Sequence, residues 1–142
     1  MKKKRAKEVY TLADLRKWES IDPPVRLGVF GDPVAHSLSP QMQNAALKRC
    51  KIDMQYARFQ ISPDELQSAL DLIRELNFVG VNLTTPHKIA ASKLMDEIDD
   101  NVRRIGAINT VRSITQSFAA TIPMAKDSPA PFGRNSRSIC AI

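Results

Sequence analysis

Phe78-Val-Gly-Val-Asn-Leu-Thr-Thr-Pro-His-Lys88 is the stretch whose reading decides the fold. Its first six residues are short, apolar and rich in strand formers. Thr85-Pro86 then reads as a helix start, because proline suits the first turn and a preceding hydroxyl can cap the free backbone donors. The same grammar occurs upstream. Val25-Arg-Leu-Gly-Val-Phe30 reads as a strand, Gly31-Asp-Pro33 as a turn, and His36-Ser-Leu-Ser-Pro40 as the approach to a second helix capped by Ser39. Two strand-to-helix units place hydroxyls, an amide and one lysine at the carboxyl ends of neighbouring strands. Open α/β sheets bind small ligands there. The pattern implies a pocket for a small polyhydroxylated molecule.

Working outward, the helix from Pro40 to about Lys51 is expected to bury Met42, Ala45, Ala46 and Leu47. Asp53 to Ile61 alternates as a strand, with Met54, Tyr56, Arg58 and Gln60 on one parity and Ala57, Phe59 and Ile61 on the other. Ser62-Pro-Asp-Glu65 is a third helix start, with a cap and acids in the first turn. Leu66, Leu70, Ile73 and Leu76 then mark a core face. Ile89, Ala90 and Leu94 are expected to face the core after Lys88, and Gly106-Ala-Ile-Asn-Thr-Val111 turns into a last strand. Alternation of this kind predicts an α/β fold with a mostly parallel sheet flanked by helices. Residues 1–25 form an N-terminal extension, with a short helix from Thr11 to about Glu19 that packs Trp18 on the domain and a stiff joint at Pro23-Pro24. Residues 26–112 form the α/β domain. Residues 113–142 show no helix or strand period and read as irregular.

At 43% hydrophobic and 25% charged, the chain has the make-up of an ordinary globular domain. Its net charge of +6 lies in the two ends: residues 26–111 carry ten charges of each sign. The central unit therefore makes no case for a nucleic-acid partner. Two cysteines, Cys50 and Cys140, are too few for a disulfide framework and lack zinc-ligand spacing. No apolar run is long enough for a membrane span, and no apolar signal core follows the basic start. A cytoplasmic protein is the expectation, and the sequence leaves the oligomeric state open.

Six residues carry the candidate chemistry. Lys88 falls in the first turn of its helix, where the dipole disfavours a cation by up to about 1 kcal/mol. A lysine set against that preference can await an anionic partner, serve as general acid and base, or polarise an oxygen. It can equally be a solvated surface lysine. Ser37 has no evident structural task in its loop and is the better ligand candidate, whereas Ser39 is occupied as a cap. Asn82 and Thr84 lie at the end of their strand. Asn109 is a ligand or a turn asparagine. His36 and His87 have no metal-ligand spacing, and there is neither a Gly-x-Gly-x-x-Gly run nor a P-loop.

These residues resemble the shikimate dehydrogenase family. Gly31-Asp-Pro-Val-Ala-His-Ser-Leu-Ser-Pro40 with Asn44-Ala45-Ala46, Gly80-Val-Asn-Leu-Thr-Thr-Pro-His-Lys88 and Gly106-Ala-Ile-Asn-Thr110 are similar to three motifs of its N-terminal substrate-binding domain, in order. The resemblance implies the family reaction, NADPH-dependent reduction of 3-dehydroshikimate to shikimate in aromatic amino-acid biosynthesis. It implies that Ser37 and Ser39 bind the substrate carboxylate and that Thr84 and Asn109 line the pocket. Asn82 and Lys88 would hold ring hydroxyls, with Lys88 as the acid/base. Gln43 stands where many members have histidine. The family's later Gly-x-Asn-Thr-Asp-Gly motif, whose aspartate partners the lysine, and its Rossmann domain for NADP do not follow Val111. The expectation is that no cofactor binds this chain and that it does not catalyse the reaction by itself. A non-catalytic module for shikimate or quinate is the alternative, and the sequence does not separate those two ligands.

The codons of the tail carry one more expectation. Read one base over, Met124-Ala125 must encode Gly, and Thr121-Ile122, Ile122-Pro123 and Pro123-Met124 can encode Asn, Thr and Asp. Residues from about 113 onward are accordingly read as a frameshifted continuation of a longer gene.

Overall fold

The computed structural model describes residues 6–114 and 117–121. In chain order its elements are β1 (Tyr10–Thr11), α1 (Leu12–Arg16), β2 (Val25–Gly31), α2 (Ser39–Arg49), β3 (Gln55–Gln60), α3 (Leu66–Glu75), β4 (Gly80–Leu83), α4 (His87–Ala90), β5 (Glu97–Ile98), α5 (Asp100–Ile105), β6 (Thr110–Ile114) and β7 (Ser117–Thr121). They form one mixed sheet in the order β1-β3-β2-β4-β6-β7-β5. β1, β3, β2 and β4 run parallel, as the strand–helix alternation predicts. β6 is antiparallel to both β4 and β7, and β5 lies parallel to β7.

The alternation along β2 and β3 separates two cores. Phe30, Ala57, Phe59 and Ile61 join Leu12 and Leu15 of α1 and Leu66, Leu70 and Ile73 of α3 on one side. Leu27, Val29 and Tyr56 join Leu47 of α2 and Val34 of the loop before it on the other. The helix after Ser62 forms as expected. A 3-10 turn at Pro63–Glu65 leads into α3, and Glu65 Oε2 accepts from Ser62 N–H at 3.0 Å to close the capping box.

Several expectations are corrected. On α2 only Pro40 and Leu47 are buried; Ala45 and Ala46 are exposed, and Met42 is 65% exposed. The helix meets the domain through Pro40 and Leu47, and Met42, Ala45 and Ala46 lie on its outer side. Ser39 does not cap α2. Leu38 is the N-cap in αR conformation, since the turn closed by Ser37 N–H on Val34 C=O starts the helix earlier. Thr85 does not cap α4 either: His87 N–H bonds Thr84 C=O at 2.9 Å, a tight turn that leaves Pro86 as the cap residue. Ile89 and Ala90 are exposed, and α4 ends after a single turn.

The N-terminal residues do more than lay Trp18 on the domain. Tyr10 and Thr11 pair in register with Phe59 and Gln60 as an edge strand, and Trp18 packs on Tyr10, Phe59 and Phe78 with ring centroids 5.2 to 6.0 Å apart. Beyond Arg112 the sequence shows no strand period, yet β6 continues to Ile114 and folds back into β7. Backbone pairing on β4 and β6 supplies what side-chain alternation does not. The Asn-Thr-Asp-Gly reading beneath Thr121 to Ala125 lies, past Thr121, outside the described residues.

Candidate active site

The two strand-to-helix loops meet at the carboxyl edge of β2 and β4. Thr84 N–H donates to Phe30 C=O at 2.9 Å, and Asp32 N–H donates to Thr85 C=O at 3.1 Å. Gly31 permits this approach. A Cβ built there would collide with the Thr84 methyl carbon, closer than any side chain tolerates. The third loop closes on the same edge. Leu83 N–H donates to Asn109 C=O at 2.8 Å, and Ile108 N–H donates to Lys88 C=O at 2.7 Å. Gly106, the cap of α5, turns the chain into it with φ 70°, a left-handed conformation that glycine adopts without steric cost.

Two sets of side-chain hydrogen bonds lie along this edge. Ser37 Oγ–H donates to Ser39 Oγ at 3.1 Å. Across the edge, Tyr56 O–H donates to Asn82 Oδ1 at 2.7 Å. The Asn82 amide donates from Nδ2 to Thr110 Oγ1 at 3.0 Å, and Thr110 Oγ1–H donates to Asn109 Oδ1 at 3.1 Å. Burial pushes the Tyr56 phenol far above its ordinary range, so it stays a neutral donor. The Ser37 loop is pinned from below, since Arg58 donates to Ser37 C=O from Nε at 2.9 Å and Nη2 at 2.6 Å.

Of the six residues singled out from the sequence, Ser37 and Ser39 thus form one hydrogen-bonded pair, and Asn82 and Asn109 are joined through Thr110. Thr84 stands half-buried just past β4, beside Gly31. Lys88 is exposed at the second position of α4, outside the network and tied to the third loop through its main chain. Tyr56, Arg58 and Thr110 were not among the six. Alternation puts Tyr56 and Arg58 on the strand face opposite Phe59, but only the assembled sheet sets that face beside Asn82 and the Ser37 loop. Thr110 is directly opposite Asn82 in the β4–β6 register, a neighbour that no local pattern shows.

His87 has another task. Its imidazole is fully buried, and Nε2–H donates to Ile61 C=O at 2.7 Å, fastening the loop before Lys88 to the end of β3. Nδ1 has no partner among the described residues. A cavity of about 580 Å³ beside the amino end of β3, lined in part by Asn44, Lys48 and Met54, shares no residue with the polar network. No group of three or more metal-ligating side chains occurs among the described residues.

Residues 29–111 match the model of the shikimate dehydrogenase substrate binding domain. The chain belongs to the shikimate dehydrogenase family. It is 44% identical over 89 residues to the shikimate dehydrogenase (NADP(+)) of Dehalococcoides mccartyi strain BAV1, covering 63% of this chain and 31% of that protein. It is 49% identical over 86 residues to that of Geobacter metallireducens, covering 61% and 30%. The crystal structure of shikimate 5-dehydrogenase from Thermus thermophilus in complex with NADP(H) and shikimate superposes with a TM-score of 0.65 at 38% identity, over 68% of this chain and 36% of that one. The chain spans about a third of the length of the curated shikimate dehydrogenases it matches. Its three motif loops are the ones that meet at the carboxyl edge of the sheet.

Proposed function

We propose that this domain holds the substrate of a shikimate dehydrogenase, shikimate or 3-dehydroshikimate, in the cytoplasm. The observation that carries the reading is the meeting of all three motif loops at one edge, held by backbone hydrogen bonds and carrying the Ser37–Ser39 hydroxyl pair and the hydrogen-bonded Asn82, Thr110 and Asn109. Hydroxyls and amides suit a ligand made of hydroxyls and a carboxylate. In this reading Ser37 and Ser39 bind the carboxylate, Asn82, Thr84 and Asn109 line the ring, and Lys88 holds or gives the proton at the oxygen of the reacting carbon. Lys88 has the reach for that role because it stands exposed at the rim.

NADP is the family's hydride carrier. The described residues form no glycine-rich strand–turn–helix of the kind that cradles a dinucleotide pyrophosphate, so we assign them the substrate and not the cofactor. Turnover by this domain alone is not expected.

Calorimetric titration of the whole chain with shikimate tests the assignment. Weak saturable binding is expected, lowered about tenfold or more by Ser37→Ala or Lys88→Ala, each of which removes a hydrogen bond with one charged member, the ligand carboxylate or the lysine ammonium. Titration with quinate alongside reports the preference between the two ligands. Absence of saturable binding, or binding indifferent to both substitutions, would defeat the proposal. The frameshift reading has its own test in the nucleotide sequence past codon 105, where a shifted frame through Asn-Thr-Asp-Gly is expected.

A further inference from the structure

We propose that Thr110 is a positioning residue, whose single hydroxyl couples the orientations of the two pocket asparagines. It rests on the assignment above only in naming shikimate as the ligand. The argument is one of proton counting. Thr110 Oγ1 lies 3.0 Å from Asn82 Nδ2 and 3.1 Å from Asn109 Oδ1. A threonine hydroxyl has one proton to give. It can therefore satisfy one amide oxygen only, and the other asparagine must turn its NH2 toward it.

The main-chain carbonyl of Asn109 decides which. It can only accept and lies 3.4 Å from Asn82 Nδ2, so the Asn82 amide has its nitrogen toward Thr110 and its oxygen toward the Tyr56 phenol at 2.7 Å. The Thr110 proton is then left for Asn109 Oδ1. The outcome is a defined polarity. Asn82 Nδ2 is engaged with Thr110 and more loosely with Asn109 C=O at 3.4 Å, which leaves the second lone pair of its Oδ1 to accept from a ligand hydroxyl. Asn109 has its oxygen engaged and its Nδ2 left to donate. Without the Thr110 hydroxyl the Asn109 amide can turn over and Asn82 Nδ2 keeps only its long bond to the Asn109 carbonyl, so the pocket presents a mixture of patterns.

The cross-strand register makes the arrangement local and rigid. Asn82 and Thr110 are direct partners of β4 and β6, and Thr110 and Asn109 are neighbours in the chain. The Thr110 hydroxyl is engaged with these two amides, so it acts by positioning.

Two substitutions separate hydroxyl from shape. Thr110→Val keeps the branched outline and suits a strand but has no proton to share. Thr110→Ser keeps the hydroxyl and loses the methyl. Shikimate affinity is expected to fall about tenfold in Thr110→Val, the scale of a lost hydrogen bond and a disordered amide, and to return to within about threefold of the parent in Thr110→Ser. Equal affinity in Thr110→Val and the parent overturns the proposal, as does Thr110→Ser binding as poorly as Thr110→Val. A second measurement needs neither ligand nor variant. In the 15N-asparagine-labelled parent chain, the Asn82 side-chain NH2 protons are expected to exchange slowly and to resonate apart from those of an exposed asparagine such as Asn77. Free-amide behaviour at Asn82 would overturn the proposal even if Thr110→Val did not fold. A parent chain that binds no shikimate but shows the protected amide would defeat the functional assignment and leave the Thr110 clamp standing.

Discussion

His87 stands one residue before Lys88 and shows how a single side chain couples the rim to the core. Burial holds its imidazole below the ordinary 6.5, and this outweighs the Ile61 hydrogen bond and the Asp32 charge, both of which favour the cation. The folded chain therefore refuses a proton that the unfolded chain accepts. Stability from this residue is complete above pH 6.5 and is lost as the pH falls below it toward the folded value. Urea denaturation of the parent and of His87→Phe, compared between pH 7.5 and 5.5, is the measurement. The parent is expected to lose more stability over that interval than His87→Phe, and parallel losses would refute the account. Gly31 acts at the same scale by what it lacks, since any side chain there would drive Thr84 from the edge of the site.

Among the elements, the entry into α3 is the best test of local rules, because its signals are all local. Ser62 and Glu65 exchange hydrogen bonds across one turn, and Leu66, Leu70 and Ile73 are then buried at helical spacing. Glu65→Ala removes one arm of the capping box and the acid near the helix start. A loss of about 1 kcal/mol in chemical denaturation is expected, without change in shikimate affinity, because α3 lies on the opposite face of the sheet from α2. The same rules fail at α2 and α4 for a tertiary reason. Both helices begin in turns that already belong to the site, closed by Ser37 on Val34 and by His87 on Thr84. Those turns set the starts that proline and hydroxyl spacing alone would place elsewhere, and they leave Met42 and Ile89 outside the core.

At the scale of the molecule, the sheet depends on an edge built from the N-terminal residues. Tyr10 is buried beside Phe59, and Trp18 leans on both and on Phe78. Trp18 is the chain's single tryptophan, so its fluorescence reports this edge directly. Tyr10→Ala is expected to destabilise the fold by about 3 kcal/mol, the usual scale for truncating a buried aromatic. The Trp18 emission and the far-ultraviolet circular dichroism are expected to unfold in one transition; an earlier fluorescence transition would show the N-terminal residues to be a separate unit. By itself the sequence determined the alternation of strands and helices, the Phe59 face of β3, the start of α3 and the identities of the polar residues at the strand ends. These follow from periodicity and capping, which act over a few residues. Only the tertiary structure decided that Tyr10 joins β3, that β6 turns back antiparallel to β4 and onto β7, and that Tyr56 and Thr110 take up the two ends of the Asn82 amide. Apart from the pairing of β6 with β7, these span 26 to 49 positions in the chain. They are selected by which backbone and side-chain hydrogen bonds the closed sheet can satisfy together, and no local pattern records that choice.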